Sequence, residues 1–368
     1  MQEELLYQIA LTLVPQIGAV QAKILLQHCE PEEIFRARKN FLEKLEGIGP
    51  VRAAAIRSFR DFHLAEKEIS LIQQKKITPL FLTNPAYPKR LLNCYDSPTL
   101  LYQYGEADLN ASRMAAIIGT RHNSEYGRQQ TEKLVTELAT AGVSIVSGLA
   151  YGIDAIAHRS ALKKNLPTIG VLAHGLDQIY PSAHAGLAKE ISQEKGALLT
   201  EFRLGTKPDK HNFPARNRIV AGMTDVTIVM ETGIKGGSMI TADLANGYNR
   251  DVFALPGKVT DPKSEGCNEL IRSNRAQLFR DTADLLENLG WQSQTPKEKE
   301  KRIQRSLFIE MSPEEKIIAE ILHDTKGMPV DEINQRSGLS SGQVARALLN
   351  LELQSVVLSL PGKLYCLA

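Results

Sequence analysis

The 368-residue chain has only four cysteines, Cys29, Cys94, Cys267 and Cys366, and no two of them form a CxxC pair. That scatter argues against a zinc site and predicts reduced thiols in a cytoplasmic setting. No apolar run approaches the ~18 residues needed to span a bilayer. The first residues, MQEELLYQIALTL, are acidic where a secretory leader is basic, so a soluble protein is expected. An excess of one charge is missing as well: 44 Lys and Arg stand against 42 Asp and Glu, a net +2. Any polyanion must therefore be held by a local basic face, not by a global field. Nucleotide motifs are absent too. Pro256-Gly257-Lys258-Val259-Thr260 lacks both the spacing of a P-loop and a hydroxyl directly after the lysine, and no strict GxGxxG opens a strand-to-helix turn. No cofactor or metal is implied, since His158, His174 and His184 lie apart without ligand spacing and read as capping or packing residues.

What is present is an ordinary globular composition, 43% hydrophobic and 23% charged, in a chain long enough for two or three cores. Residues 1–75 carry apolar residues at helical spacing and nothing that alternates like a strand, so an all-helical domain is expected. It contains two similar turns, Val14-Pro15-Gln16-Ile17-Gly18 and Leu45-Glu46-Gly47-Ile48-Gly49. They resemble a helix-hairpin-helix pair of the SAM-like kind, in which glycine frees backbone N–H groups for a DNA phosphate. The first copy lacks the leading glycine, and a compact interaction module would use the same turns.

From 76 to 290, short β-rich runs alternate with helical patterns, the mark of a Rossmann-like, parallel-rich α/β sheet wrapped by helices on both faces. The runs are 114–118, 143–147, 168–172, 197–200, 226–230 and 251–255, apolar enough to be buried on both sides. Ligands of such sheets bind beyond the carboxyl ends of the strands. Three glycine-rich turns stand there: Gly119-Thr120-Arg121 with Asn123 or Ser124 as a helix cap, Ser147-Gly148 to Gly152-Ile153-Asp154, and Glu231-Thr232-Gly233-Ile234-Lys235-Gly236-Gly237-Ser238. Each lets backbone approach an anion, because glycine removes the Cβ and helix N-termini present unpaired N–H groups. A further segment runs from Lys210 through His211-Asn212-Phe213-Pro214-Ala215-Arg216-Asn217-Arg218 into a helix. Its arginines suit phosphate oxygens and its aromatic ring suits a stacked base; arginines at a helix start also suit structural ion pairs. A confined glycine-lined groove excludes an intact duplex but admits splayed bases, and backbone contacts by Arg and Lys carry no base code. Glu231 and Asp154 are the acids embedded in these turns, either as a general base or, more commonly, as acceptors that orient loop N–H groups.

These motifs, with Phe213-Pro214-x-Arg216-Asn217-Arg218-Ile219, Gly236-Gly237-Ser238-x-Ile240-Thr241-Ala242 and Val252-Phe253-Ala254-x-Pro256-Gly257 in that order, resemble the DNA-processing protein A (DprA/Smf) family. The resemblance implies an extended Rossmann-like domain that binds single-stranded DNA, dimerises, and helps to load the RecA recombinase in natural transformation, without catalysis. Carried over to this chain, Arg121 and Lys210 would hold phosphates and Phe213 would face a base. Arg216, Asn217 and Arg218 would line the pocket, and Gly119, Gly148, Gly152, Lys235, Gly236, Gly237 and Ser238 would complete the DNA-binding set. Tyr151 stands where the family often has arginine, and Thr120 replaces the usual serine. The rival reading is an enzyme that cleaves a nucleotide or nucleoside phosphate, with Glu231 as acid or base and Arg121 on the phosphate.

Residues 291–311, lysine- and arginine-rich around Lys297-Glu298-Lys299-Glu300-Lys301-Arg302, read as a linker. In 312–368, Ser312-Pro313-Glu314-Glu315 is a capping-box start, followed by helix, helix and hairpin signals that resemble a winged helix. Its second helix carries only Arg346 as a cation between Ser340 and Glu352, which favours an auxiliary or protein-binding role over DNA reading.

Overall fold

The computed structural model describes residues 2–292, 311–323, 325, 327–354 and 356–367. They form two compact units, Met1–Leu278 and Phe279–Ala368. The expected linker lies outside the described residues except at its two ends. Among the described residues no helix is long and apolar enough to cross a membrane.

The first unit begins with the helices Gln2–Leu13, Ala19–Leu26, Pro31–Arg36, Lys39–Lys44, Gly49–Ser58 and Phe62–Gln74. They close around Ile9, Leu25, Ile34, Leu42 and Ile56, all buried. The two turns that look alike in sequence differ in backbone. Gly47 and Gly49 take φ of +82° and +64°, a region only glycine enters readily, whereas Gly18 is extended and its N–H donates to Gln21 Oε1 at 3.2 Å. One arginine clasps both: Arg52 donates from Nε to the Gln16 carbonyl and from Nη1 to the Gly47 carbonyl.

The sheet contains β1 (Thr78–Phe81), β2 (Leu100–Gly105), β3 (Met114–Ile118), β4 (Ser144–Ser147), β5 (Thr168–Val171), β6 (Ala197–Thr200), β7 (Val226–Val229), β8 (Asp251–Ala254) and β9 (Gln277–Leu278). Its order is β1-β2-β6-β5-β4-β3-β7-β8-β9, parallel from β6 to β9, with β1 and β2 antiparallel at one edge. The edge pair was not anticipated. It joins the helices to the sheet through two-residue alternation: Leu100 and Tyr102 enter the helical cluster while Leu101 enters the sheet core. The helical segment therefore shares one continuous apolar contact with the sheet across the expected boundary at 75.

Successive strands β3, β4, β5 and β6 step one way from the centre, and β7, β8 and β9 step the other. This makes β3 the topological switch point, where a crevice opens beyond the strand ends. Parallel pairing of Ala116 with Thr227 and with Val146 brings the ends of β3, β7 and β4 level.

In the second unit, the helices Pro313–Leu322, Val330–Ser337 and Ser341–Leu353 pack with β10 (Met328–Pro329), β11 (Val357–Leu360) and β12 (Leu364–Leu367), ordered β10-β12-β11, as a winged helix. The capping box forms as its sequence predicts: Glu315 N–H donates to Ser312 Oγ at 3.2 Å and Ser312 N–H to Glu315 Oε2 at 2.9 Å. The helix Thr282–Asn288, expected with the sheet domain, groups with this unit.

Candidate nucleic-acid interface

The loops at the switch point are held by their acids. Glu231, 1% exposed, follows β7 and turns away from the crevice. Its carboxylate accepts from the Ser124 N–H at 2.8 Å and from the Ser124 hydroxyl, and Ser124 Oγ accepts from Gly127 N–H at 3.0 Å to cap the helix Glu125–Leu138. A Cβ on Gly127 would stand 2.3 Å from Glu231 Oε2, so glycine is required there. Asp154 accepts from the N–H groups of Gly148 and Ala150 at 3.1 and 3.3 Å. Both acids thus orient loop amides. Ser124→Ala removes the cap and a donor to a buried carboxylate together, and is expected to destabilise the first unit by about 1–2 kcal/mol. Urea titration would show this as a lower midpoint, and an unchanged midpoint would refute the role.

The glycine of the second turn is structural. Gly152 has φ +76°, and a Cβ there would lie 2.2 Å from the Thr120 carbonyl oxygen, where the first two turns cross. The Ile153 N–H donates to that same carbonyl, and Thr120 N–H donates to the Glu231 carbonyl at 2.7 Å. Expected in the binding set, Gly152 instead locks the loops together and is not among the residues lining the crevice.

The basic segment forms the helix Asn212–Gly222. Residues two apart on a helix point about 200° apart, so Arg216 and Arg218 cannot share a face. Arg216 turns inward, 5% exposed, and donates from Nη1 to the carbonyls of Gly148 and Val171 and from Nε to Asn217 Oδ1. Burial pulls its pKa down to about 10, with Asp154 opposing and Arg121 adding to the fall, so it stays cationic at neutral pH. Gly148 leaves room for it: a Cβ there would stand 2.6 Å from the guanidinium. Arg218, expected in the pocket wall, points the other way, pairing with Glu201 and donating to the Asp96 carbonyl. Here the structural ion-pair reading holds.

The crevice is a cavity of about 330 Å³ lined by Gly119, Arg121, Gly148, Phe213, Arg216, Asn217, Gly236, Gly237 and Ser238 among others. It runs into a shallower recess of about 470 Å³ that shares Arg121, Phe213, Asn217 and Gly237 and adds Lys210 and Tyr180. At the join the Arg121 guanidinium lies 5.5 Å above the Phe213 ring, and Tyr180 stands 5.9 Å from that ring, tilted by 51°. Lys235 lines neither space. Tyr180 escaped the sequence reading although it follows β5 on the same sheet edge, where the carboxyl-end rule points. Thr241 in the cavity wall was read only as part of a motif. Tyr151, at the position where arginine was expected, packs edge-on against His184 with centroids 4.9 Å apart.

The fold and this crevice define an extended Rossmann-like protein with an anion-receptive groove, carrying a winged helix at its end. Family comparison agrees: the model for "DNA recombination-mediator protein A" matches residues 78–290, and that for the "DprA winged helix domain" matches 303–363. The chain belongs to the DprA/Smf family. It is 40% identical over 295 residues to protein Smf of Synechocystis sp., covering 77% of this chain and 72% of that one. The X-ray structure of DNA processing protein A from Streptococcus pneumoniae superposes with a TM-score of 0.66 at 33% identity, covering 76% of this chain and 96% of that one. DNA processing protein A from Helicobacter pylori, described for its single-stranded DNA binding mode, gives 0.53 at 36% identity over 58% and 95% of the two chains.

Proposed function

We propose that this protein binds single-stranded DNA without catalysis, as a homodimer through its sheet domain, and delivers the strand to RecA in the cytoplasm. The observation that carries the reading is the shelf at the cavity mouth, where the cations Arg121 and Lys210 flank the stacking faces of Phe213 and Tyr180. Stacking on an aromatic face tolerates any base, and guanidinium and ammonium groups grip the backbone. The winged helix, with Arg346 as the cation of the helix Ser341–Leu353, serves as an auxiliary or protein-binding module. The cleavage reading is disfavoured because Glu231 is sealed against Ser124, and Asp154, the one carboxylate lining the inner cavity among the described residues, is engaged by two loop amides.

Arg121→Ala combined with Lys210→Ala is expected to weaken binding of a labelled oligothymidylate by about ten- to a hundredfold. The slope of log affinity against log salt should fall by about 1.4, two phosphate contacts' worth for a single strand. Gel shift at two salt concentrations measures both. Parental affinity and slope in the double variant would show the groove to be misplaced. Co-purification with RecA, with and without the strand, tests the delivery step.

A further inference from the structure

The inner cavity holds hydrogen-bonding capacity that nothing among the described residues uses. Arg216 is 5% exposed, and its Nε and Nη1 are engaged, but among the described residues its Nη2 donates to nothing. Ser238 and Thr241, 8% and 3% exposed, stand three residues apart on the helix Gly237–Gly247 and line the same cavity. Among the described residues neither hydroxyl has a hydrogen-bond partner. These side chains are largely buried, yet the three groups are not sealed in the core but belong to residues that line the cavity, so their convergence on one space marks a place shaped for a ligand. The surrounding charge sets its sign: Arg121 and Arg216 are cationic, Asp154 is the one carboxylate in the wall among the described residues, and the N-terminus of the helix Gly237–Gly247 faces in through Gly236 and Gly237.

We propose that this cavity receives a terminal phosphate, a phosphomonoester at the end of a DNA strand or on a free nucleotide. The proposal rests on the single-strand reading above and deepens it. A phosphodiester within a chain offers two non-bridging oxygens, and its other two oxygens lead away to sugars. A phosphomonoester offers three terminal oxygens and a charge near −2 at neutral pH. Donors here come from separate sides: the Arg121 loop, the Arg216 guanidinium beneath, and the hydroxyls of Ser238 and Thr241 on another helix. Such an enclosing set matches a group with one tether better than a group with two. The outer recess, with Lys210, Phe213 and Tyr180, then carries the adjoining nucleotides. No bond is made or broken; the cavity reads an end.

The test uses the full chain and hexathymidylate bearing a 5′-phosphate, a 3′-phosphate or neither, read by fluorescence anisotropy, with thymidine 5′-monophosphate and inorganic phosphate as competitors. One phosphorylated end should bind at least about tenfold tighter than the hydroxyl-ended strand, the effect of one charge-assisted hydrogen bond. Thr241→Val, which keeps the side-chain shape, and Ser238→Ala should each narrow that ratio. Displacement of the phosphorylated strand by the mononucleotide at comparable affinity would assign the cavity to free nucleotides. Failure of the mononucleotide to compete, with the end preference intact, would assign it to strand ends. Equal binding of phosphorylated and hydroxyl-ended strands would overturn the end pocket and leave the single-strand reading standing. Mononucleotide binding that Thr241→Val weakens, with no strand binding at all, would do the reverse. Absence of both would overturn the two together.

Discussion

Replacing Arg216 by methionine is expected to destabilise the first unit by about 3–5 kcal/mol, the cost of removing one member of a buried charged network. The side chain does three things at once in the core. Its Nη1 satisfies the carbonyls of Gly148 and Val171, at the ends of β4 and β5, and its charge acts on the buried Asp154. Methionine matches the length of the stem but removes the donor to both carbonyls and leaves the carboxylate with its loop amides and no opposing Arg216 charge. Asp154 is already pushed above the ordinary carboxylate range by burial, with Arg216 counteracting; without the arginine it should rise further and loosen its hold on the Gly148 and Ala150 amides. Arg216→Lys, which keeps the charge but loses the two-pronged fork, should fall between the two. Urea unfolding followed by helical circular dichroism measures the series. A methionine variant within about 0.5 kcal/mol of the parent would mean that the inward arginine contributes no stability and serves only the ligand.

The second large effect concerns His158, fully buried on the helix Ile153–Lys163. Its Nδ1 lies 2.6 Å from Thr168 Oγ1, a hydroxyl that donates to the Ile145 carbonyl, and its Nε2 has no hydrogen-bond partner among the described residues. Burial, with His184 and Arg216 adding positive charge, pulls the pKa from 6.5 to about 3. The folded value lies below the unfolded one, so the unfolded chain takes up the proton first. Stability from this site is therefore complete above about pH 6.5 and is lost as pH falls toward 3, on the order of 4–5 kcal/mol in all and about 3 kcal/mol by pH 4. His158→Leu removes the titrating group. Relative to the parent, the variant should gain that much on acidification from pH 7 to 4, whatever its stability at neutral pH. Parallel stability curves for the two proteins would disprove the assignment.

Much of the architecture was legible because continuous apolar runs and glycine-rich turns report burial and chain reversal directly. The six central strands appear within a residue of where the runs place them, and the three turns meet on one sheet edge. Strands β1 and β2 were hidden because one contains Pro79 and the other mixes Gln103 and two tyrosines into its run, and their antiparallel pairing is a long-range event with no local signature. Arg218 was misplaced for a reason the sequence itself contained: two positions on a helix are nearly opposite, so a pocket facing Phe213, Arg216, Asn217 and Val220 cannot include it.

By itself, then, the sequence determined the chemistry available to this protein: a balanced net charge, a local store of arginine, lysine and aromatic rings, and glycines where backbone must pass closely. Tertiary structure decided how those groups are used. Glu231 became a brace for Ser124, Gly152 a crossing point for two loops, and Arg218 the partner of Glu201, because each is held by neighbours remote in the chain. Arg216 was turned into the core with one nitrogen that, like the hydroxyls of Ser238 and Thr241 lining the same cavity, has no partner among the described residues. The physical reason is that side-chain type follows from composition, whereas whether a donor is already satisfied depends on contacts between segments that only folding brings together.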